Sequence, residues 1–252
     1  MTDHHDFPDW EQLPESVRNH IHQLERIRRD FVANVSHELR TPLTVIRGYL
    51  ETILQEQSDF PDEYQPIFEQ MYQHSVRMEN IIGDLLLLSR LESEDPHQEP
   101  DREQVNVAEL LQTICQDARD LSRDKGHVVE LEADAELMIE GVTDELKSLF
   151  SNLIVNAVKY TPADGHITVR WYADEGQAVF SVTDTGIGIA QKDIPRVTER
   201  FYRVDKARSR DSGGTGLGLA IAKHVLMRHN ATLDIDSELG QGSTFRCCFE
   251  LK

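Results

Sequence analysis

Asp184-Thr-Gly186-Ile-Gly188-Ile and, further along, Gly213-Gly214-Thr-Gly216-Leu-Gly218-Leu are the stretches that decide which nucleotide fold the chain can adopt. Neither has the GxGxxG spacing of a dinucleotide fold, and no GxxxxGK[ST] occurs anywhere, so Rossmann and P-loop folds are disfavoured. The second cluster opens an apolar-periodic run near 216 to 229, which predicts a helix whose N-terminal N–H groups can approach phosphate. Either cluster alone reads equally well as an ordinary turn. Between them, residues 192 to 210 hold seven basic side chains (Lys192, Arg196, Arg200, Arg203, Lys206, Arg208 and Arg210) against three acidic ones, a local balance of +4. A solvated loop is the usual explanation of such a run. One flanked by two glycine turns is better placed to meet a polyphosphate.

Upstream, Asn152-Leu-Ile-Val-Asn156-Ala-Val-Lys159-Tyr160 places two amides, an ammonium and a phenol at three- and four-residue spacing on a predicted helix near 144 to 160. Amide oxygen suits Mg²⁺, an ammonium suits phosphate, and an aromatic ring can stack on a base. Strands are predicted near 128 to 133, 137 to 140, 166 to 173, 177 to 183, 232 to 237 and 243 to 251, and a further helix near 107 to 123. In the last strand Phe245, Cys247 and Phe249 alternate with Thr244, Arg246 and Cys248. Half-buried strands with helices predict an α/β sandwich.

The first ninety residues follow a different pattern. Ile21, Leu24, Ile27, Phe31, Val35 and Leu39 form a helical stripe that continues past Pro42 through Leu43, Ile46 and Leu50. A second stripe runs Ile67, Met71, His74, Met78, Ile81, Leu85, Leu88 after a turn-like Gln57–Pro61. Two stripes cannot both be covered within one hairpin, so two copies pairing into a four-helix bundle is the expected solution. Residues 93 to 104 are polar with two prolines and read as a linker. The expected organisation is a helical domain over 1–92, a linker over 93–104 and an α/β domain over 105–252.

Composition narrows the function classes. The formal charge of −19 over 252 residues disfavours nucleic acid and anionic lipid as partners. No apolar run reaches the roughly 18 to 20 residues of a bilayer span, so the chain is expected to be soluble. Three cysteines, Cys115, Cys247 and Cys248, without a CxxC pair suggest reduced thiols, a cytoplasmic setting and no structural zinc.

The sharpest local signal is Ser36-His37-Glu38-Leu39-Arg40-Thr41-Pro42. Pro42 removes a helix hydrogen bond and is expected to bend the helix, and Thr41, at i+4, shares the His37 face. With this segment (an H-box), Asn152–Tyr160 (N-box), Asp184–Gly188 (G1), Phe201-Tyr202-Arg203 (F-box) and Gly214–Gly218 (G2) in family order, the chain resembles the cytoplasmic half of a two-component sensor histidine kinase. The stretch from Pro195 to Arg210, with Gly48-Tyr49-Leu50-Glu51, further resembles the subgroup of these kinases that governs the response to phosphate starvation. Val197 departs from the Phe that many members carry.

The resemblance implies a Bergerat-type ATP-binding domain behind a dimeric His-containing hairpin. Asp184 would accept from the adenine amino group, Asn156 would ligate Mg²⁺, and Tyr160 would pack on the base. Lys159 and the 192–210 lid, Arg203 included, would meet phosphates. Asn152, Gly186, Gly188, Gly214, Gly216 and Gly218 would complete the nucleotide site. His37 would attack the γ-phosphate with Glu38 as base, and Thr41 would position water for the reverse reaction. The implied partners are a second copy of the chain, the receiver domain of a response regulator, and an upstream sensor that anchors the full-length protein in the inner membrane. Two other readings stand beside this one. A clamp ATPase of the same fold places a Glu where Asn152 stands, and Asn152 cannot act as a base. A non-catalytic scaffold would have no need of His37, Asn156 and Asp184 together.

Overall fold

The computed structural model describes residues 14–55, 64–92, 102–204 and 215–251, and in the first helix the side chains at 17, 35, 36 and from 38 onward. The chain divides into two compact units, Met1–Ser89 and Arg90–Lys252.

The first unit is a hairpin of α1 (Glu15–Gln55) and α2 (Gln65–Leu91). Helix α1 runs without interruption through Pro42. The proline ring leaves the Glu38 carbonyl without its helical donor, and the flanking turns carry the helix across the gap. Leu43 packs with Ile82 and Leu86. Glu79 ties the two helices by accepting from Thr44 Oγ1 at 3.1 Å and by pairing with Arg47, and the Tyr72 hydroxyl donates to Glu51 at 3.2 Å. The inward face of α2 is therefore Ser75, Ile82 and Leu86, whereas Ile67, Met71 and Met78 from the apolar stripe are exposed, as are Val35, Leu39, Ile46 and Tyr49 on α1. The turn at 57–61 and the side chains of Ile21, Leu24, Ile27 and Phe31 lie outside the described residues.

The second unit is built on a five-stranded sheet of order β2-β4-β5-β7-β6, comprising β2 (Val128–Ala133), β4 (His166–Asp174), β5 (Gln177–Asp184), β6 (Thr232–Glu238) and β7 (Gly242–Glu250). β2 pairs with β4 in parallel and the other neighbours are antiparallel. Alternation along β4 buries Ile167, Val169 and Trp171 against α3 (Val107–Leu121), α4 (Thr143–Tyr160) and α5 (Gly218–Arg228), whose Leu111, Leu149, Phe150, Leu153 and Ile221 are fully buried. Phe150 lies 4.6 Å from Phe180 between ring centroids, with Trp171 and Phe249 edge-on around it. The expected strands and helices are present, and Cys247 is fully buried while Cys248 is only partly so. Burial raises the thiol of Cys115 to about 11, as expected of a thiol used as a small hydrophobe.

One element was not anticipated. β1 (Glu103–Asn106) pairs antiparallel with β3 (Met138–Gly141), so residues 103 and 104 are strand where a linker was expected. Four residues with only Val105 buried are too short and polar to show a period. Asn106 then caps α3, accepting from Glu109 N at 3.3 Å while its own amide donates to the Glu109 carboxylate at 3.0 Å.

Candidate functional site

Asp184 ends β5 beside the last turn of α4. It is buried, and its Oδ1 accepts from Gly186 N at 2.8 Å. Burial pushes its carboxyl above the usual carboxylate range, opposed by hydrogen bonds from the backbone of Gly186 and Ser243. Gly186 is required by space: a Cβ there would collide with Asp184 Oδ1 and stand 2.8 Å from the Tyr160 carbonyl oxygen. Gly188 has φ +65° and faces the Glu238 carbonyl, where a Cβ would overlap the backbone. Ile187 N donates to Tyr160 O at 3.2 Å and Gly240 N donates to Ile187 O at 2.7 Å, which fastens this loop to α4 and to the β6–β7 turn.

Helix α4 supplies the neighbouring groups. Asn156 is half-exposed, and its amide makes no hydrogen bond to any described residue. Asn152 is differently engaged: its Nδ2 donates to Ser148 O at 2.9 Å, and its amide abuts Gly218, where a Cβ would overlap Oδ1. Gly218 thus lets the start of α5 approach α4. The Lys159 ammonium stands 5.1 Å from the centre of the Tyr160 ring. Burial raises the Tyr160 phenol, and the positive charge of Arg203 opposes that rise, so the F-box arginine lies within electrostatic reach of the N-box tyrosine.

Backbone joins Phe201, in the basic segment, to Gly216 of the second glycine cluster. Phe201, at φ +60°, donates its N–H to Gly216 O at 2.8 Å, and Gly216, at φ +74°, would place a Cβ 2.9 Å from the Phe201 Cα. Below this junction the Tyr202 hydroxyl donates to Asp193 at 2.8 Å and the Arg196 guanidinium lies 4.3 Å from the Tyr202 ring centre. Val197 is buried at this base. Thr215 Oγ1 accepts from Leu217 N at 3.1 Å and leads into α5. Lys206, Arg208, Arg210, Gly213 and Gly214 lie outside the described residues.

In the other unit, Glu38 and Thr41 are exposed on α1 and Ser36 is buried. The His37 side chain is outside the described residues, but its place in α1 sets Thr41 one turn away on its face and Glu38 about 100° around the helix. Two features escaped the sequence reading. Lys125 and His127 bond to the end of α4, and Asp193 holds Tyr202. A glycine between two basic residues was the only trace of the first pair.

Residues 27–94 match the His Kinase A (phospho-acceptor) domain, and residues 141–252 match the family of histidine kinase-, DNA gyrase B- and HSP90-like ATPases. The chain belongs to the sensor histidine kinases, with an ATP-binding domain behind a phospho-acceptor hairpin. Within that family it is 54% identical over 229 residues to the phosphate regulon sensor protein PhoR of Pseudomonas aeruginosa, covering 91% of this chain and 51% of that protein. It is 40% identical over 227 residues to the sensor histidine kinase WalK of Bacillus subtilis, covering 88% of this chain and 36% of that one. Among solved structures, full-length ShkA in complex with AMPPNP aligns with TM-score 0.71 at 26% identity, over 87% of this chain and 45% of that chain. The chain spans about half the length of the phosphate regulon sensors it matches. No helix among the described residues is long and apolar enough to cross a membrane.

Proposed function

We propose that the chain is the kinase portion of a phosphate-starvation sensor, which phosphorylates His37 from ATP and passes the phosphoryl group to an aspartate in a response regulator's receiver domain. The observation that supports this best is the junction of Asp184 with the last turn of α4. There a buried carboxylate and its glycine loop adjoin the end of the helix that carries the Asn156 amide and the Lys159 ammonium. Asp184 would accept the adenine amino group, Tyr160 would cover the base, and Lys159 and Arg203 would meet the phosphates.

The Asn156 amide fits Mg²⁺ as an oxygen donor. Because the described residues include no cluster of three His, Cys, Asp or Glu side chains able to hold a metal, it suits an ion that keeps most of its ligands from substrate phosphate and water. When bound, the ion supplies charge neutralisation at the phosphates. A His37 ring nitrogen forms the new N–P bond as the bond from the γ-phosphorus to the bridging oxygen breaks, and ADP leaves. Glu38 takes the proton from the other ring nitrogen. Positioning and electrostatics carry most of such a transfer.

Two copies would pair through the exposed apolar positions of α1 and α2, and a longer chain would carry the sensor and anchor it in the inner membrane. In this reading 1–92 is the phospho-acceptor domain, 93–104 the linker and 105–252 the catalytic domain. Thr41 would hold the water that dephosphorylates the regulator. The test is to measure phosphotransfer and regulator dephosphorylation in the same assay. Thr41→Ala should keep autophosphorylation and lose regulator dephosphorylation, whereas Glu38→Ala should slow autophosphorylation by about 10²- to 10⁴-fold. Equal loss of both activities in Thr41→Ala would assign that residue to holding the helix near Pro42.

A further inference from the structure

The last four carbonyls of an α-helix have no partner within it and must be satisfied from outside. In α4 those are Ala157, Val158, Lys159 and Tyr160. The Ala157 carbonyl accepts from Thr161 N at 3.0 Å and from Thr161 Oγ1 at 2.7 Å. That of Tyr160 accepts from Ile187 N at 3.2 Å, in the loop that presents Asp184. The two between them, Val158 and Lys159, are both taken by one side chain: Lys125 Nζ donates at 3.0 and 3.1 Å, and reaches the Thr161 carbonyl at 3.4 Å. Lys125 spends all three of its N–H donors on the end of this helix.

His127 extends the same clasp. Its Nε2 lies 3.1 Å from the Thr161 carbonyl and 2.9 Å from that of Pro162, so this nitrogen carries the proton. Gly126 stands between the two at φ +66°, and Asp164 N donates back to Lys125 O at 2.8 Å. A left-handed residue here turns the chain so that both flanking side chains meet one target. The cation also sits at the negative end of the α4 dipole.

We propose that Lys125, assisted by His127, is a positioning residue for the nucleotide site, setting the last turn of α4 and through Tyr160 the register of the Asp184 loop. The inference rests on the second unit binding ATP through Asp184 and the end of α4, and adds what holds those groups in place. The last turn carries Lys159 and Tyr160 on its side chains and Ile187 on its terminal carbonyl. A slack turn moves three nucleotide contacts at once while the sheet and aromatic core, which receive none of the Lys125 ammonium's hydrogen bonds, stay intact. Lys125 itself has no reach to spare for the nucleotide.

The experiment is nucleotide titration of the intact chain with AMPPNP and Mg²⁺ by calorimetry, alongside KM for ATP and kcat for autophosphorylation. Lys125→Met should weaken AMPPNP binding by about tenfold, with the binding stoichiometry held near that of the unaltered chain, and raise KM for ATP while kcat changes by less than about threefold. His127→Ala should weaken binding in the same sense, and His127→Gln, which keeps a donor for the two carbonyls, should restore it. If the unaltered chain fails to bind AMPPNP, the nucleotide reading itself falls. If it binds, and Lys125→Met either keeps full affinity or loses stoichiometry with unchanged affinity in the remainder, the residue is only a structural cap and the proposal is overturned. Equal weakening by His127→Ala and His127→Gln would remove His127 from the clasp.

Discussion

The carbonyl of Tyr160 accepts the N–H of Ile187 at 3.2 Å, so the loop that presents Asp184 hangs from the last residue of the helix that carries Asn156. In the proposed reading, adenine and phosphate recognition are thereby built on one backbone junction. Groups placed on a rigid element and tied by backbone hold their geometry better than groups on a free loop.

Asp184 is costly to the empty protein, because burial raises its carboxyl more than the Gly186 and Ser243 N–H groups lower it. A carboxyl whose folded value lies above its unfolded one favours the folded state most in acid and least at neutral pH. Asp184→Asn keeps an acceptor for Gly186 and removes the charge. It should therefore melt at the same temperature as the parent or higher at pH 7.5, yet bind nucleotide about ten- to a hundredfold more weakly, the worth of a charge-assisted hydrogen bond of about 1.5 to 3 kcal/mol. Thermal melts and AMPPNP titrations check the two halves separately, and unchanged affinity would remove Asp184 from the adenine contact.

The hairpin leaves Met78 44% exposed and Ile67 51% exposed in the single chain, on a face of α2 that borders the buried Ser75, Ile82 and Leu86. If a second copy covers that face, Met78→Lys puts a charge into an apolar seam and should raise the dimer dissociation constant at least tenfold. Sedimentation equilibrium over a concentration series measures it. Equal association of parent and variant would place the dimer contact elsewhere.

His229 is buried at the end of α5, where it donates from Nδ1 to Val225 O at 2.8 Å and accepts Val142 N on Nε2 at 3.1 Å. That pattern requires the neutral ring. Burial lowers its pKa from the ordinary 6.5, with Arg102 and Arg228 adding to the fall and the Val225 carbonyl and Glu145 opposing it. The unfolded chain then binds the proton more readily, so this stability is fully present above about pH 6.5 and drains as the pH falls below it. Melting temperature should drop from pH 7.5 to pH 5.5 more steeply in the parent than in His229→Gln, whose amide can make both bonds at any pH. Parallel slopes would show that His229 carries none of the dependence.

The legible parts of the fold were those with a long repeat. The α4 run from Leu146 to Val158 and the strands β4 and β7 read correctly because three-and-four spacing or alternation persists along them, whereas β5, buried at every position from 178 to 182, is legible only as a short apolar run. β1 was illegible because its four residues pair with a distant strand and bury one side chain. In the candidate site, Asp184, Asn156 and the glycines could be singled out by residue type and spacing. Lys125 and His127 could not, because their partners are backbone carbonyls more than thirty positions away, and a carbonyl leaves no mark in a sequence. On α2 the apolar stripe included the buried Leu88 but not Ser75, which is buried and bonded to Tyr72 O at 2.8 Å, because a polar residue does not advertise burial.

The central claim is that His37 receives the γ-phosphoryl group of ATP, and the most direct measurement is the chemical identity of the label after incubation with γ-labelled ATP and Mg²⁺. A phosphoramidate on His37 predicts a label that is lost in acid, survives base, and is absent from His37→Gln. An acid-stable label, or one that persists in His37→Gln, would contradict the account.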